Sequence, residues 1–248
     1  MAGIFITKGM TVSIPHLRIK IGEGGDIEGD PITLHVRFDV CPTWVMLARR
    51  HLEAALDARS QRDAIWARTD ETAKAESLER EFECSMQAIM AAAIAWDAAY
   101  AVLREHVAIP DSLVQRWRAG RTARYSQVAE VIRRAFTLKP AGAKVLRSNL
   151  KEIYRYRDMA VHPSGKIQAA LLHPELNVGV EWRFAYFRAT NAEIAVCGAA
   201  GMLWDLAHEG RAKEPKITEY QETLRARLQE IYPAGRPVAA VSGGASAA

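Results

Sequence analysis

The sequence predicts a mainly α fold: a helical bundle with a small N-terminal β segment and a β-like insert in its second half. Three observations carry that reading. Large apolar residues recur at three- and four-residue steps over much of residues 42–232, the period of helix faces packed on neighbours. Strand-like alternation is confined to residues 10–40 and 166–189. The chain is 49% hydrophobic and 25% charged over 248 residues, a globular composition long enough to bury a large core.

The elements follow in order. Residues 10–40 run TVSIPHLRIKI, GEGGDIEGDP, ITLHVRFDV and read as two strands around a Gly/Asp-rich loop. From Pro42 the pattern turns helical to about residue 68, with the proline acceptable in a first turn. A second helix opens on Asp70 and Glu71 and closes before Pro110; Phe82, Met86, Ile89, Ala93, Trp96, Tyr100, Leu103 and Val107 alternate by four and three along it. Such a seam is expected to bury against other helices or a second copy of the chain.

A shorter helix is expected at about 122–138, a break at KPAGA, and another helix at about 142–161. Residues 166–189 are expected to form a β-hairpin. A small-residue helix should follow Asn191 and end at His208-Glu209-Gly210, with His208 on a core seam of Ile194, Cys197, Gly201 and Trp204. A last helix starts at Pro215 and presents Ile217, Tyr220, Leu224, Leu228 and Ile231 on one face. The division expected is a β segment at 1–41, a bundle at 42–232 holding the insert, and a disordered tail at 233–248.

Several function classes lose support. No run of about 18 apolar residues offers a membrane span, and MAGIFITKGM lacks the apolar core of a signal peptide. Cys41, Cys84 and Cys197 are odd in number and far apart, which fits neither a disulfide framework nor a zinc site and points to a reducing cytoplasm. GxSxG, P-loop, GxGxxG and HExxH patterns do not occur. No metal and no cofactor is expected.

The charge is unevenly placed. Residues 113–157 hold twelve Lys or Arg and two Glu, a net of +10, so the rest of a +4 chain is net −6. A concentration of this kind suits a polyanion, although a solvated surface poor in acids gives the same count.

Within that segment the helix at 142–161 places Leu146, Leu150, Ile153, Arg157 and Val161 or Ala160 on one seam. Arg157 therefore stands where a leucine belongs, and a charge there needs a partner or water. Asp158 lies four residues before His162, and Pro163 disfavours helix at His162, so the imidazole is expected at a helix end, able to turn towards the guanidinium.

The run Arg157-Asp158-Met159-Ala160-Val161-His162 resembles the R-x4-H motif of the HEPN superfamily (higher eukaryotes and prokaryotes nucleotide-binding), with its polar residue after the arginine and its place at the end of a bundle helix. The resemblance covers this hexapeptide and the bundle around it; the N-terminal strands and the insert depart from a minimal bundle. It implies a metal-independent endoribonuclease, a hydrolase of toxin or defence kind acting as a homodimer, in which an antitoxin or regulatory partner has a place. The residue types suit that chemistry on their own. Internal attack of a 2′-hydroxyl needs a base, an acid and a cation; histidine serves as base or acid near neutral pH, and arginine holds phosphate oxygens. Asp158 is expected to orient His162.

Lys144, Arg147, Lys151 and Arg155 are the candidate phosphate contacts, and Tyr154 and Tyr156 the candidate stacking partners for unpaired bases. Two other readings stay open: Arg157 and Asp158 as a structural ion pair with His162 as a charge at a helix C-terminus, and a non-catalytic module that binds nucleotide, RNA or a partner protein.

Overall fold

The computed structural model describes residues 5–15, 19–21, 24, 27–29, 33–162 and 165–240. It is mainly α, and the chain divides into two compact units, Met1–Val40 and Cys41–Ala248.

In the first unit the alternation resolves into two short antiparallel ladders in place of two strands flanking one loop. β1 (Met10–Ser13) pairs with β4 (His35–Phe38), Met10 opposite Phe38 and Val12 opposite Val36, which puts four apolar residues on one face. Between them in sequence, β2 (Ile19–Ile21) pairs with β3 (Ile27–Gly29), so part of the Gly/Asp-rich stretch is itself a strand.

The second unit is the bundle. α1 (Cys41–Trp66) and α2 (Glu71–Arg104) pack along much of their length. Asp70 caps α2, its carboxylate accepting from the Ala73 N–H at 3.0 Å. The middle of α2 is buried on nearly every side, and Ala88, Ala91, Ala92, Ala93, Ala95 and Ala99 let its neighbours approach closely. It is the one helix among the described residues long and apolar enough to cross a membrane; 61% of its apolar window lies inside the bundle. The expected seam is largely its core face, with Ile89, Trp96, Tyr100 and Leu103 buried, but the helix closes at Arg104, leaving Val107 beyond it.

α3 (Asp111–Ala119) was not signalled by the apolar pattern: none of its residues is fully buried. α4 (Arg124–Ala135) packs on α2 through Val128, Val131 and Ile132. α5 (Pro140–Val161) begins on the proline that the break supplies and buries Leu146, Leu150, Ile153 and Tyr154 against α2, α4 and α7 (Ala189–His208). α8 (Pro215–Ile231) docks Ile217, Tyr220, Leu224, Leu228 and Ile231, the face read from its sequence.

Three expectations are corrected here. The insert forms only a two-residue ladder, β5 (Leu171–Leu172) with β6 (Gly179–Val180), followed by a helix, α6 (Trp182–Tyr186). The alternating aromatics that resemble a strand wind instead because Glu181 accepts the Arg183 N–H at 2.8 Å, Trp182 meets Tyr186 edge to face one turn on, and Phe184 packs 4.9 Å from Phe82. On α7 the buried face is Ala192, Ala195, Val196, Ala199, Leu203 and Leu206; Ile194 is 59% exposed, and His208 is half-buried, stacked 4.0 Å from Trp204. The tail is not free over residues 233–240. Arg236 forms a bidentate pair with Asp205 at 2.7 and 2.9 Å, Pro237 is buried, and the Ala240 N–H donates to Glu193 at 2.8 Å. Residues 241–248 lie outside the described residues.

A buried ionic hub ties the insert to the bundle. Arg62 is fully buried on α1 and bonds Glu81 on α2 and Glu175 in the β5–β6 turn. Glu175 also accepts from Arg188 and Thr190, and Glu81 accepts the Ala189 N–H at the start of α7. His173 sits among them, 1% exposed, its Nδ1 accepting the Glu175 N–H at 3.2 Å. Burial and the Arg62 charge hold its pKa down to about 4. Burial pushes the Glu175 carboxyl up, but its bonds from Arg62 and Thr190 and the Arg59 charge win and set it at about 2. Burial raises the pKa of Glu81 despite the Ala189 N–H and the Arg62 charge.

Candidate functional site

α5 ends where the residue pattern places its end. Val161 is its last residue, and His162 caps it in a non-helical conformation (φ −119°, ψ 66°), its N–H donating to the Asp158 carbonyl at 2.9 Å. Pro163 lies outside the described residues. His162 is exposed, on the wall of a cleft of about 460 Å³ that Arg124, Tyr125, Lys151, Tyr154, Arg155, Arg157 and Asp158 also line.

Arg157 does face the bundle, and its partner is Asp97 of α2. The guanidinium is 24% exposed; Nη1 donates to Asp97 Oδ2 at 3.3 Å, while Nη2 and Nε donate to Asp158 Oδ1 at 2.8 and 3.1 Å. It lies 4.8 Å from the Tyr154 ring centre. Asp97 Oδ1 accepts from Arg124 Nε at 2.6 Å and from the Tyr154 hydroxyl at 2.9 Å. Arg124 in turn sits 3.9 Å over the Tyr100 ring. Two guanidiniums thus share one carboxylate at the foot of the cleft. Burial opposes the Arg124 charge, but the hydrogen bond and charge of Asp97 prevail and raise its pKa. Burial, then the Asp97 charge, pushes the Tyr154 hydroxyl above its ordinary range.

The structure corrects the expected role of Asp158. Its carboxylate is turned to Arg157, and among the described residues no hydrogen bond joins it to the His162 ring. The geometry behind this is simple: adjacent side chains on the solvent edge of α5 form a short ion pair, while the imidazole has left the helix. Of the two aromatic candidates, Tyr154 is 2% exposed with its hydroxyl committed to Asp97, so its ring cannot stack on a base. Tyr156 points to the other side of α5, edge-on to Tyr186 and Phe187, and lines a separate cleft against α7.

The basic segment is partly neutralised from within. Arg133 and Arg134 pair with Glu130, Arg155 with Glu152, and Arg124 and Arg157 with Asp97. Lys144, Arg147 and Lys151 are exposed on α5 and have no carboxylate partner among the described residues. Lys151 borders the cleft, Arg147 Nη2 lies 3.3 Å from Ser126 Oγ, and Lys144 stands a turn further from His162.

Asp97, Arg124 and Tyr125 went unread in the sequence. Asp97 carried a signal: it is the one charged residue in the nineteen from Ser85 to Leu103, set inside the most apolar helix. A lone acid at such a place needs a cation opposite it. Arg124 and Tyr125 carried none, because the turn that delivers them follows α3, a nine-residue helix none of whose residues is fully buried. Arg121 holds that turn in a left-handed conformation at φ 45°.

What the arrangement offers chemically is an exposed imidazole that shares one cleft with a fixed, partly desolvated guanidinium, with further cations along one rim. Among the described residues no group of three or more His, Cys, Asp or Glu is placed to hold a metal ion. Comparison of the chain with family models, with curated proteins and with solved structures returns no match.

Proposed function

We propose that the protein is an endoribonuclease of the HEPN kind, cleaving RNA at the Arg157–His162 cleft by attack of a 2′-hydroxyl on the adjacent phosphate. The observation that carries this reading is the joint placement of the two residues: an exposed histidine at a helix end shares one cleft with a pinned arginine. Arg157 holds the phosphate oxygens and opposes the charge that grows on them. His162 moves the proton, as base for the 2′-hydroxyl or as acid for the 5′-oxygen that leaves. Asp97 and Asp158 fix the guanidinium from two sides.

One chain brings one such histidine to the cleft. A homodimer supplies the second proton-transfer group from a second copy's His162 without further sequence. A toxin or defence role, with an antitoxin or regulatory partner, belongs to the same proposal. No step in this scheme calls on a metal ion, because protein groups fill the base, acid and cation roles.

A second reading is favoured by one observation. Asp97 and Asp158 are both bonded to Arg157, and among the described residues no carboxylate is hydrogen-bonded to the His162 ring to orient it. That arrangement suits a module that binds RNA, nucleotide or a partner protein without cleaving.

The experiment is incubation of purified protein with total RNA in EDTA, with the ends of any products analysed. The ribonuclease reading expects fragments with 2′,3′-cyclic phosphate and 5′-hydroxyl ends. RNA that is bound but intact selects the second reading.

A further inference from the structure

The cleft continues past the reactive pair. Tyr125 opens α4 beside it, half-buried, resting on the core while lining the cleft. Lys151 lines the same wall two turns before Asp158, and Arg147 lies a turn earlier, bonded to Ser126 next to Tyr125. Tyr125, Ser126, Arg147 and Lys151 therefore converge from two helices. The Ser126 bond, against the effect of burial, and the nearby Arg147 and Lys151 charges lower the Tyr125 pKa, which fits an electropositive setting. By the rise of an α-helix, Lys151 and Arg147 stand about 9 and 15 Å along α5 from Arg157. One phosphate cannot reach all three.

The chemistry of the cluster is specific. It pairs an aromatic ring anchored on one side with two cations that no carboxylate neutralises among the described residues. An aromatic ring beside lysine and arginine stacks an unpaired base and holds its phosphate, whereas a paired base offers no free face to stack on. The two tyrosines expected for stacking on α5 are committed elsewhere, so Tyr125 takes the place that the α5 tyrosines leave.

We infer that Tyr125, Ser126, Arg147 and Lys151 form a nucleotide subsite flanking the Arg157–His162 site, and that the ligand is single-stranded RNA several nucleotides long. This rests on the ribonuclease reading for the direction of the strand past His162, but the subsite is defined by binding alone.

The test is fluorescence anisotropy in EDTA with a labelled single-stranded oligoribonucleotide and with the same strand in a duplex. The protein carries His162→Ala, so that cleavage plays no part. Tyr125→Leu in that background should weaken single-strand binding about tenfold or more, and Tyr125→Phe, which keeps the ring, should restore most of it. Arg147→Gln with Lys151→Gln should weaken binding and flatten its salt dependence. Circular dichroism shows that each variant is folded. The subsite is refuted if Tyr125→Leu binds like its parent, or if the duplex binds as tightly as the single strand. The two readings fail separately: wild-type cleavage by His162→Ala removes the catalytic assignment and leaves these affinities to judge the subsite. Absence of any RNA binding removes both.

Discussion

Replacing Asp97 by alanine should destabilise the bundle by about 2–5 kcal/mol. The carboxylate is 25% exposed, so solvent screening limits each arginine pair to roughly 0.5–1 kcal/mol. The larger loss is at Tyr154, whose side chain is 2% exposed and whose hydroxyl would have no acceptor, a cost of about 1–3 kcal/mol. For a unit of this size that sum lowers the Tm by on the order of 5–20 °C. Thermal melts followed by circular dichroism measure it directly. Asp97→Asn keeps an acceptor for Tyr154 and should lose about half as much. The sharper control is Tyr154→Phe in the Asp97→Ala background, which removes the stranded hydroxyl and should be neutral or stabilising there. If Asp97→Ala melts within a degree of wild type, or Tyr154→Phe costs the same in both backgrounds, Asp97 does not hold the site together.

Other outcomes follow from the same structure. Acid should unfold the protein through the ionic hub. The His173 pKa is lowered from 6.5 to about 4, so its stabilisation is complete above 6.5 and is lost as pH falls towards 4. The Glu175 pKa is lowered from 4.5 to about 2, so its contribution is lost below 4.5. These two act in one direction, while Glu81, whose pKa burial raises, opposes them by favouring the folded state as it protonates. With His173 and Glu175 dominant, the Tm should be flat from about pH 8 to 7 and fall below about 6.5, with His173→Gln flattening the upper part of that fall; a Tm rising on acidification would show that Glu81 outweighs them and contradicts this. Truncation after Tyr232 should lower the Tm by roughly 2–8 °C, because it removes the Arg236–Asp205 pair and the buried Pro237; an unchanged melt would show residues 233–240 to be dispensable. Asp97→Asn should leave RNA affinity equal or tighter while slowing cleavage at least about tenfold, since it releases a competing anion but loosens Arg157; equal cleavage rates would separate Asp97 from the chemistry.

The parts of the fold legible in the sequence are those written in repeated apolar steps. The core positions of α2 and α8 and the end of α5 at His162 fall where periodicity and Pro163 put them. The reading failed where a few specific contacts outweigh periodicity. Alternating aromatics in residues 182–186 became a helix through one glutamate cap and a stack on Phe82. A tail with little to bury was fastened by a single bidentate arginine and one proline. The site divides the same way. Arg157 as an anomalous charge on a packed face was visible because leucine-like spacing surrounds it. Its partner is not legible from spacing, since Asp97 lies 60 residues earlier on another helix. The expected stacking role fails for both tyrosines because residues two apart on a helix point about 200° apart: Tyr154 borders the cleft but is buried with its hydroxyl on Asp97, and Tyr156 lies on the other side of α5 against Phe187.

The central claim is that His162 moves a proton during RNA cleavage, and the rate of His162→Ala tests it most directly. The residue is exposed at a helix end, so its truncation should change stability by at most about 1–2 kcal/mol. Loss of a general acid–base group lowers a rate by roughly 10²–10⁴-fold. Cleavage of one labelled RNA, timed on a gel in EDTA for wild type and for His162→Ala of matched fold, should therefore show the variant at least a hundredfold slower with RNA affinity little changed. Cleavage at the wild-type rate would contradict the account.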